Sequence, residues 1–223
     1  MSYTRFAIYF VPPDGALADF GARWLGWDPA AGREVDQPDL SGLDDVSATP
    51  RKYGFHGTLK APFRLAQGAD PARLAEAVET MAATCAPATC DGLQMSRIGR
   101  FLALTIKGDA AGVSRVAAAC VQNLDGLRAP LSSEELARRR RSRLSGRQDE
   151  LLTRWGYPYV MEEFRFHMTL TGRIAPDQVD HWQKVLADRM PDLPAPFVMD
   201  AIALVGERAD GRFKMIQRYA LTG

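Results

Sequence analysis

Cysteine and histidine are scarce in this chain, with three of each among 223 residues. Cys85, Cys90 and Cys120 are an odd set without zinc-type spacing, which argues against a disulfide framework and a thiolate metal centre. They read as buried or half-buried thiols of a reducing cytoplasm. No apolar run approaches the roughly 20 residues a membrane span needs. No basic, apolar and small-residue leader opens the chain, so neither a signal peptide nor a membrane partner is expected, and the location read is cytoplasmic. Net charge is +1, so no global field draws the chain to nucleic acid or a lipid surface. There is no HExxH, His-x-His or Asp-rich cluster for a metal, and no glycine-rich nucleotide fingerprint, so neither metal nor cofactor is expected.

What is present reads as alternating strands and helices. Arg5 to Val11 is a β-prone apolar run stopped by Pro12 and Pro13. A short helix over 16–25 precedes a Gly-, Pro- and Asp-rich stretch over 28–50 that reads as a long surface loop. A strand is expected over 53–63. A helix over 71–84 has Asp70 as its cap and Pro71 in its first turn. A hairpin turns at Gly99 and Arg100, and a helix covers 110–124. A charged helical stretch over 133–155 breaks near Gly146. A strand over 163–174, a helix over 176–189 and a hairpin around Asp210 and Gly211 complete the order. The sequence "strand, helix, hairpin" occurs twice, which predicts an α+β protein of two related lobes in one domain. The first lobe would span about 51–125, the helical insert about 130–157 and the second lobe about 160–223.

Side chains alternate faces along a strand. One face of the first repeated strand shows His56, Thr58 and Lys60. One face of the second shows Arg165, His167, Thr169, Thr171 and Arg173, while Phe164, Phe166, Met168 and Leu170 form its core face. Each strand thus offers an imidazole, a threonine two residues on, and a cation. These types suit a phosphate ester: imidazole exchanges protons near neutral pH, threonine donates to a phosphoryl oxygen, and cations offset developing charge. A single His-x-Thr on a half-exposed strand is more often an ordinary polar face. Two such motifs, using two of only three histidines and at matching places in two similar segments, are harder to assign to chance. His181, beside Trp182 on a predicted helix, reads as a surface or capping residue.

FHGTLK at 55–60 and FHMTLT at 166–171 resemble the paired His-x-Thr signatures of the 2H phosphoesterase superfamily. RKYGFHGTLKAPF and EFRFHMTLTGRI resemble one branch, the DUF1045 family associated with phosphonate metabolism and carbon–phosphorus lyase operons. The resemblance implies a bilobal fold, two pseudo-symmetric antiparallel sheets flanked by helices around a central cleft. It also implies catalytic roles for His56 and His167 and phosphate binding by Thr58 and Thr169. Lys60, Arg165, Thr171 and Arg173 join as substrate-binding candidates from strand parity alone, and Tyr53, just ahead of the first motif, as a cleft candidate. Gly57 departs from the small or apolar side chain usual in the family, and looser core packing is expected there.

The implied activity is metal-independent hydrolysis of a small, cyclic phosphate ester by general acid–base catalysis. The partner is then a small phosphorylated substrate, for instance a ribose phosphate from phosphonate breakdown. Two rivals remain at this level: a 2′,3′-cyclic phosphodiesterase or ligase acting on RNA ends, and a silent phosphate-ester-binding protein. The dense basic run over 138–147 reads first as a solvated helix face flanked by acids. A grip on RNA or on a polyphosphorylated substrate, and a lid over the cleft, are its sharper alternatives. Oligomeric state, substrate identity and which histidine acts as base are not legible.

Overall fold

The computed structural model describes residues 2–223. Its main body is one seven-stranded antiparallel sheet. The strands in chain order are β1 (Phe6–Phe10), β4 (Gly57–Phe63), β6 (Gly92–Ile98), β7 (Phe101–Lys107), β8 (His167–Thr169), β10 (Ala201–Glu207) and β11 (Phe213–Ala220). The spatial order is β11-β10-β1-β4-β8-β7-β6. Two small ribbons pair β2 (Trp27–Asp28) with β3 (Arg33–Glu34), and β5 (Ala88–Cys90) with β9 (Phe197–Met199). The helices are α1 (Ala16–Leu25), α2 (Leu43–Arg51), α3 (Pro71–Ala83), α4 (Ala111–Asn123), α5 (Ser133–Arg140), α6 (Gly146–Trp155) and α7 (Val179–Ala187). No described helix is long and apolar enough to cross a membrane.

The strands form because their sequences alternate. On β1, Phe6, Ile8 and Phe10 enter the large core, while Ala7 and Tyr9, with Val11 just beyond the strand, enter a smaller cluster on the opposite face. The large core also takes Val113, Val116, Ala117 and Cys120, the apolar stripe of α4, and Leu74, Val78 and Met81 from α3. Asp70 caps α3 as expected, its side chain accepting from the Arg73 amide at 2.9 Å. The opposite face, which carries Tyr9, holds the candidate site. The three cysteines are unpaired thiols, Cys90 and Cys120 buried and Cys85 partly so.

The α+β architecture is the expected one, but the two sheets are halves of a single sheet. One half is β11-β10-β1-β4, the other β8-β7-β6. They join where β4 meets β8 at the registered pair Gly57↔Met168. The lobes also do not follow chain order. Both edges of β4 are taken, by β1 and β8, so the hairpin that follows α3 pairs with β8 instead. The C-terminal hairpin likewise pairs with β1. Each repeated segment therefore lends its hairpin to the half containing the other segment's motif strand.

Three local expectations are corrected. The stretch over 28–50, expected as a loop, contains the β2–β3 ribbon and α2. Only Leu43, Ser47 and Pro50 of α2 are buried, too few for a readable periodicity, and Pro50 masks its last turn. Arg51 holds this helix in place through the Leu25 carbonyl, Asp44 and Gln37. The second motif strand, expected over 163–174, is only the three residues His167–Thr169. After Thr169 the chain leaves the ladder: the Leu170 and Thr171 amides both donate to the Leu102 carbonyl, and the Gly172 amide donates to the Val46 carbonyl. Trp24 Nε1 caps this exit by donating to the Leu170 carbonyl at 2.8 Å. Finally, Gly57 is not a loosely packed point. A Cβ there would overlap the ring of Phe166, which already fills the space the missing side chain leaves.

Candidate active site

The Gly57↔Met168 pair sets the geometry. Extending that antiparallel register by one residue places Thr169 opposite His56, and His167 opposite Thr58. The motifs thus cross, each histidine facing the other strand's threonine about a local two-fold axis. All four side chains line one cavity of about 270 Å³, together with Arg5, Tyr9, Tyr53, Arg139 and Tyr157.

Both histidines are held the same way. His56 Nδ1 lies 2.8 Å from the Gly54 carbonyl, and His167 Nδ1 lies 2.8 Å from the Arg165 carbonyl. A carbonyl can only accept, so Nδ1 carries the proton in each ring and Nε2 is left for the cavity. His56 Nε2 is 3.0 Å from Thr58 Oγ1, and with Nδ1 protonated the neutral ring accepts from that hydroxyl. Gly54 presents its carbonyl from a left-handed turn at φ 73°, a conformation that favours glycine.

His56 also stacks on Tyr9, with ring centroids 3.8 Å apart. Burial pushes its pKa down to about 4, with the nearby His167 adding to the drop and the Gly54 hydrogen bond opposing it. His56 is therefore neutral at pH 7. His167 packs more openly, 5.9 Å from the Phe101 ring.

The additional candidates divide. Tyr53 lines the cavity, its ring 6.0 Å from that of His56. Arg165 lines the adjoining cavity with Thr58 and His167, and its guanidinium donates to the carbonyls of Glu162 and Phe164 at 2.7 Å. Lys60 leaves the motif face. The register against β1 shifts between Tyr9↔Thr58 and Ile8↔Lys60, a bulge that inverts strand parity. Lys60 is consequently buried beneath α4, where Nζ donates to the Val121 carbonyl at 3.2 Å and lies 3.9 Å from Asp125. Burial lowers its pKa to about 8. Thr171 is fully buried and its Oγ1 accepts from the Leu102 amide at 3.0 Å, a structural role at the strand exit. Arg173 is exposed beyond that exit, where parity with His167 no longer applies. His181 is exposed on α7.

Of the polar and aromatic cavity residues, Arg5, Tyr9 and Tyr157 were missed, and Arg139 was named only as one member of the basic run. Arg5 and Tyr9 were legible in principle, since Arg5, directly ahead of β1, and Tyr9 on it have the same parity at a spacing of four. Arg139 and Tyr157 come from the insert and its exit. The solvated-face reading of the basic run fits most of it: Arg138, Arg140, Arg141, Arg143 and Arg147 are exposed. Arg140 pairs with Asp149, and Arg147 with Glu150 and Glu162. Arg139 alone of the run turns into this cavity. Among the described residues no group of three His, Cys, Asp or Glu side chains is arranged to hold a metal ion.

Known proteins place the chain. It is 37% identical over 240 residues, covering 100% of this chain and 52% of the relative, to a ribose 1,5-bisphosphate phosphokinase PhnN of Janthinobacterium sp. (strain Marseille). It is 38% identical over 187 residues to the protein of the same name from Laribacter hongkongensis, covering 79% of this chain and 41% of that protein. The chain thus spans about half the length of the curated relatives it matches. Among solved structures, TT0787 of Thermus thermophilus aligns over 98% of both chains at 18% identity and a TM-score of 0.47. Escherichia coli LigT complexed with 3′-AMP aligns over 100% of both at 15% identity and a TM-score of 0.47. The family described as "Protein of unknown function (DUF1045)" matches residues 58–214, more than half of the chain, and the protein belongs to that family.

Proposed function

We propose that this protein is a metal-independent phosphoesterase that hydrolyses a small cyclic phosphate ester, with His56 as general base and His167 as general acid. The observation that carries this reading is the convergence of His56, Thr58, His167 and Thr169 on one cavity, with both Nε2 atoms left for the cavity by identical Nδ1 contacts.

Neutral His56 takes a proton from water as its oxygen attacks phosphorus. The ring P–O bond breaks, and protonated His167 gives its proton to the departing oxygen. The product is a monoester bearing a free hydroxyl, and the two imidazoles exchange one proton with solvent to reset. Thr58 and Thr169 donate to the non-bridging oxygens, so Thr58 releases His56 Nε2 as substrate enters. The low pKa of His56 supports its assignment as base, because the unprotonated ring dominates at neutral pH. A strained ring needs one proton removed and one delivered, which two imidazoles supply.

The relatives' name points to phosphorylated pentoses, which fits a small sugar phosphate of the kind phosphonate breakdown yields. Their phosphokinase activity is not carried over. This chain has no GxxxxGKS or GxxxxGKT phosphate loop, and its cavity offers acid–base groups in place of a nucleotide cradle. The test is a panel of cyclic and linear phosphodiesters assayed in EDTA. Turnover of a cyclic ester, lost in both histidine variants, supports the proposal. Tight ester binding without turnover, unchanged by those variants, contradicts it.

A further inference from the structure

Among the described residues, three buried side-chain polar atoms lack a hydrogen-bond partner: Tyr9 Oη, Arg139 Nε and Tyr219 Oη. The first two residues line the histidine cavity. Buried donors are nearly always satisfied, so two orphans at one cavity need an explanation.

Arg139 also forms no ion pair among the described residues, and unlike the unpaired Arg138, Arg141 and Arg143, which are exposed to water, it is partly buried. Arg140 holds Asp149 through two hydrogen bonds of 2.6 and 3.0 Å. Glu135 is engaged by Arg64 at 2.9 and 2.6 Å and by the Ser132 amide at 2.9 Å. Arg5, which also lines the cavity, is matched by Glu207 at 2.6 and 2.5 Å. Arg139 is left with the face of Tyr157, 5.2 Å from the ring centroid. Burial pushes its pKa below the usual value. A half-buried guanidinium without a carboxylate is costly unless an anion completes it.

The helix bearing it is fixed in place. The capping box of Ser132 and Glu135 starts α5, and the Arg64–Glu135 pair ties α5 to the end of β4. Arg140–Asp149 joins α5 to α6, and Leu151 of α6 packs with Val121 and Val160. Arg139 is thus held at the cavity on an ordered frame.

We propose that Arg139 and Tyr9 form a second anion subsite, so that the preferred substrate carries a further phosphate besides the one between the histidines. This rests on the proposed reading of the histidine site for the first phosphate. The guanidinium gives the second phosphate a charge-assisted donor, and the tyrosine hydroxyl gives it another. The helical insert then determines specificity for doubly phosphorylated small molecules, and polymer binding is not its task.

The test reads binding, so it needs no turnover. Uridine 3′-phosphate and uridine 3′,5′-bisphosphate are titrated calorimetrically into the protein in EDTA. Wild type is expected to bind the bisphosphate at least about tenfold more tightly, as one charge-assisted contact provides. Arg139→Gln should shrink that ratio to below about threefold, Arg139→Lys should keep part of it, and Tyr9→Phe should reduce it with the ring stack intact. Because each variant is compared with itself on two ligands, a general loss of stability cancels. Equal affinity in wild type, no measurable binding of either ligand, or a ratio that survives Arg139→Gln overturns the subsite. A preserved ratio in wild type alongside absent hydrolysis of every cyclic ester overturns the proposed reaction and leaves the subsite standing.

Discussion

The imidazole of His56 lies on the ring of Tyr9, their planes 26° apart, and this burial keeps the histidine neutral. The activity profile should therefore keep a falling acid limb near pH 4, where His56 becomes protonated. Tyr9→Ala opens the ring to water and should move that limb up toward about pH 6.5, the value of free imidazole. Measuring kcat/KM against pH for both proteins checks this. An acid limb already near that free-imidazole value in wild type contradicts it.

The same shift acts on stability. The unfolded chain takes up a proton on His56 below about pH 6.5, and the folded chain only below about 4. Between these values the unfolded state binds more protons, so stability falls as pH falls through that window, by up to about 3 kcal/mol. Above the unfolded-state value the contribution is fully present. Urea unfolding at about pH 7, 5.5 and 4 measures it, and His56→Gln should flatten the His56 part of the slope.

Gly57 faces Phe166 so closely that any Cβ must displace the ring. Gly57→Ala should destabilise the protein by about 1–3 kcal/mol, the usual range for overpacking a filled core. Phe166→Leu in the same chain should recover part of that loss. Thermal unfolding of wild type and both variants reads it, and an unchanged Gly57→Ala melting temperature would show that the ring yields freely.

Thr58 and Lys60 are two residues apart, yet only Thr58 lines the histidine cavity. Thr58→Val and Thr169→Val should each lower kcat/KM by about ten- to a hundredfold, as loss of one hydrogen bond to a charged oxygen does. Lys60→Met should leave kcat/KM within about threefold and the fold as stable or more so, since it replaces a buried ammonium with an apolar chain. Steady-state kinetics decides. A large kinetic loss in Lys60→Met would mean that its ammonium reaches the substrate.

Much of this was legible from residue order, and the exceptions have physical causes. His56, Thr58, His167 and Thr169 were legible because strict alternation places them on one face, and pairing of the two strands brings the faces together. Lys60 and Thr171 misled because alternation ends where a bulge or a strand exit intervenes, and neither has a composition signal here. The helix over Leu43–Arg51 was hidden by its sparse buried face. The exchange of hairpins follows from which edges of β4 are free, a property of the assembled sheet. Arg139 could not be told from its neighbours, because whether an arginine of the run finds a carboxylate depends on how α5 and α6 fold back on each other.

The most direct test of the central claim is hydrolysis of a cyclic phosphodiester substrate in EDTA by wild type, His56→Ala and His167→Ala. Acid–base catalysis by this pair predicts turnover in wild type that chelation does not abolish. It also predicts a kcat lower by at least about 10²-fold in each variant. Activity that vanishes with EDTA and returns with a divalent metal, or that survives removal of either imidazole, would contradict it.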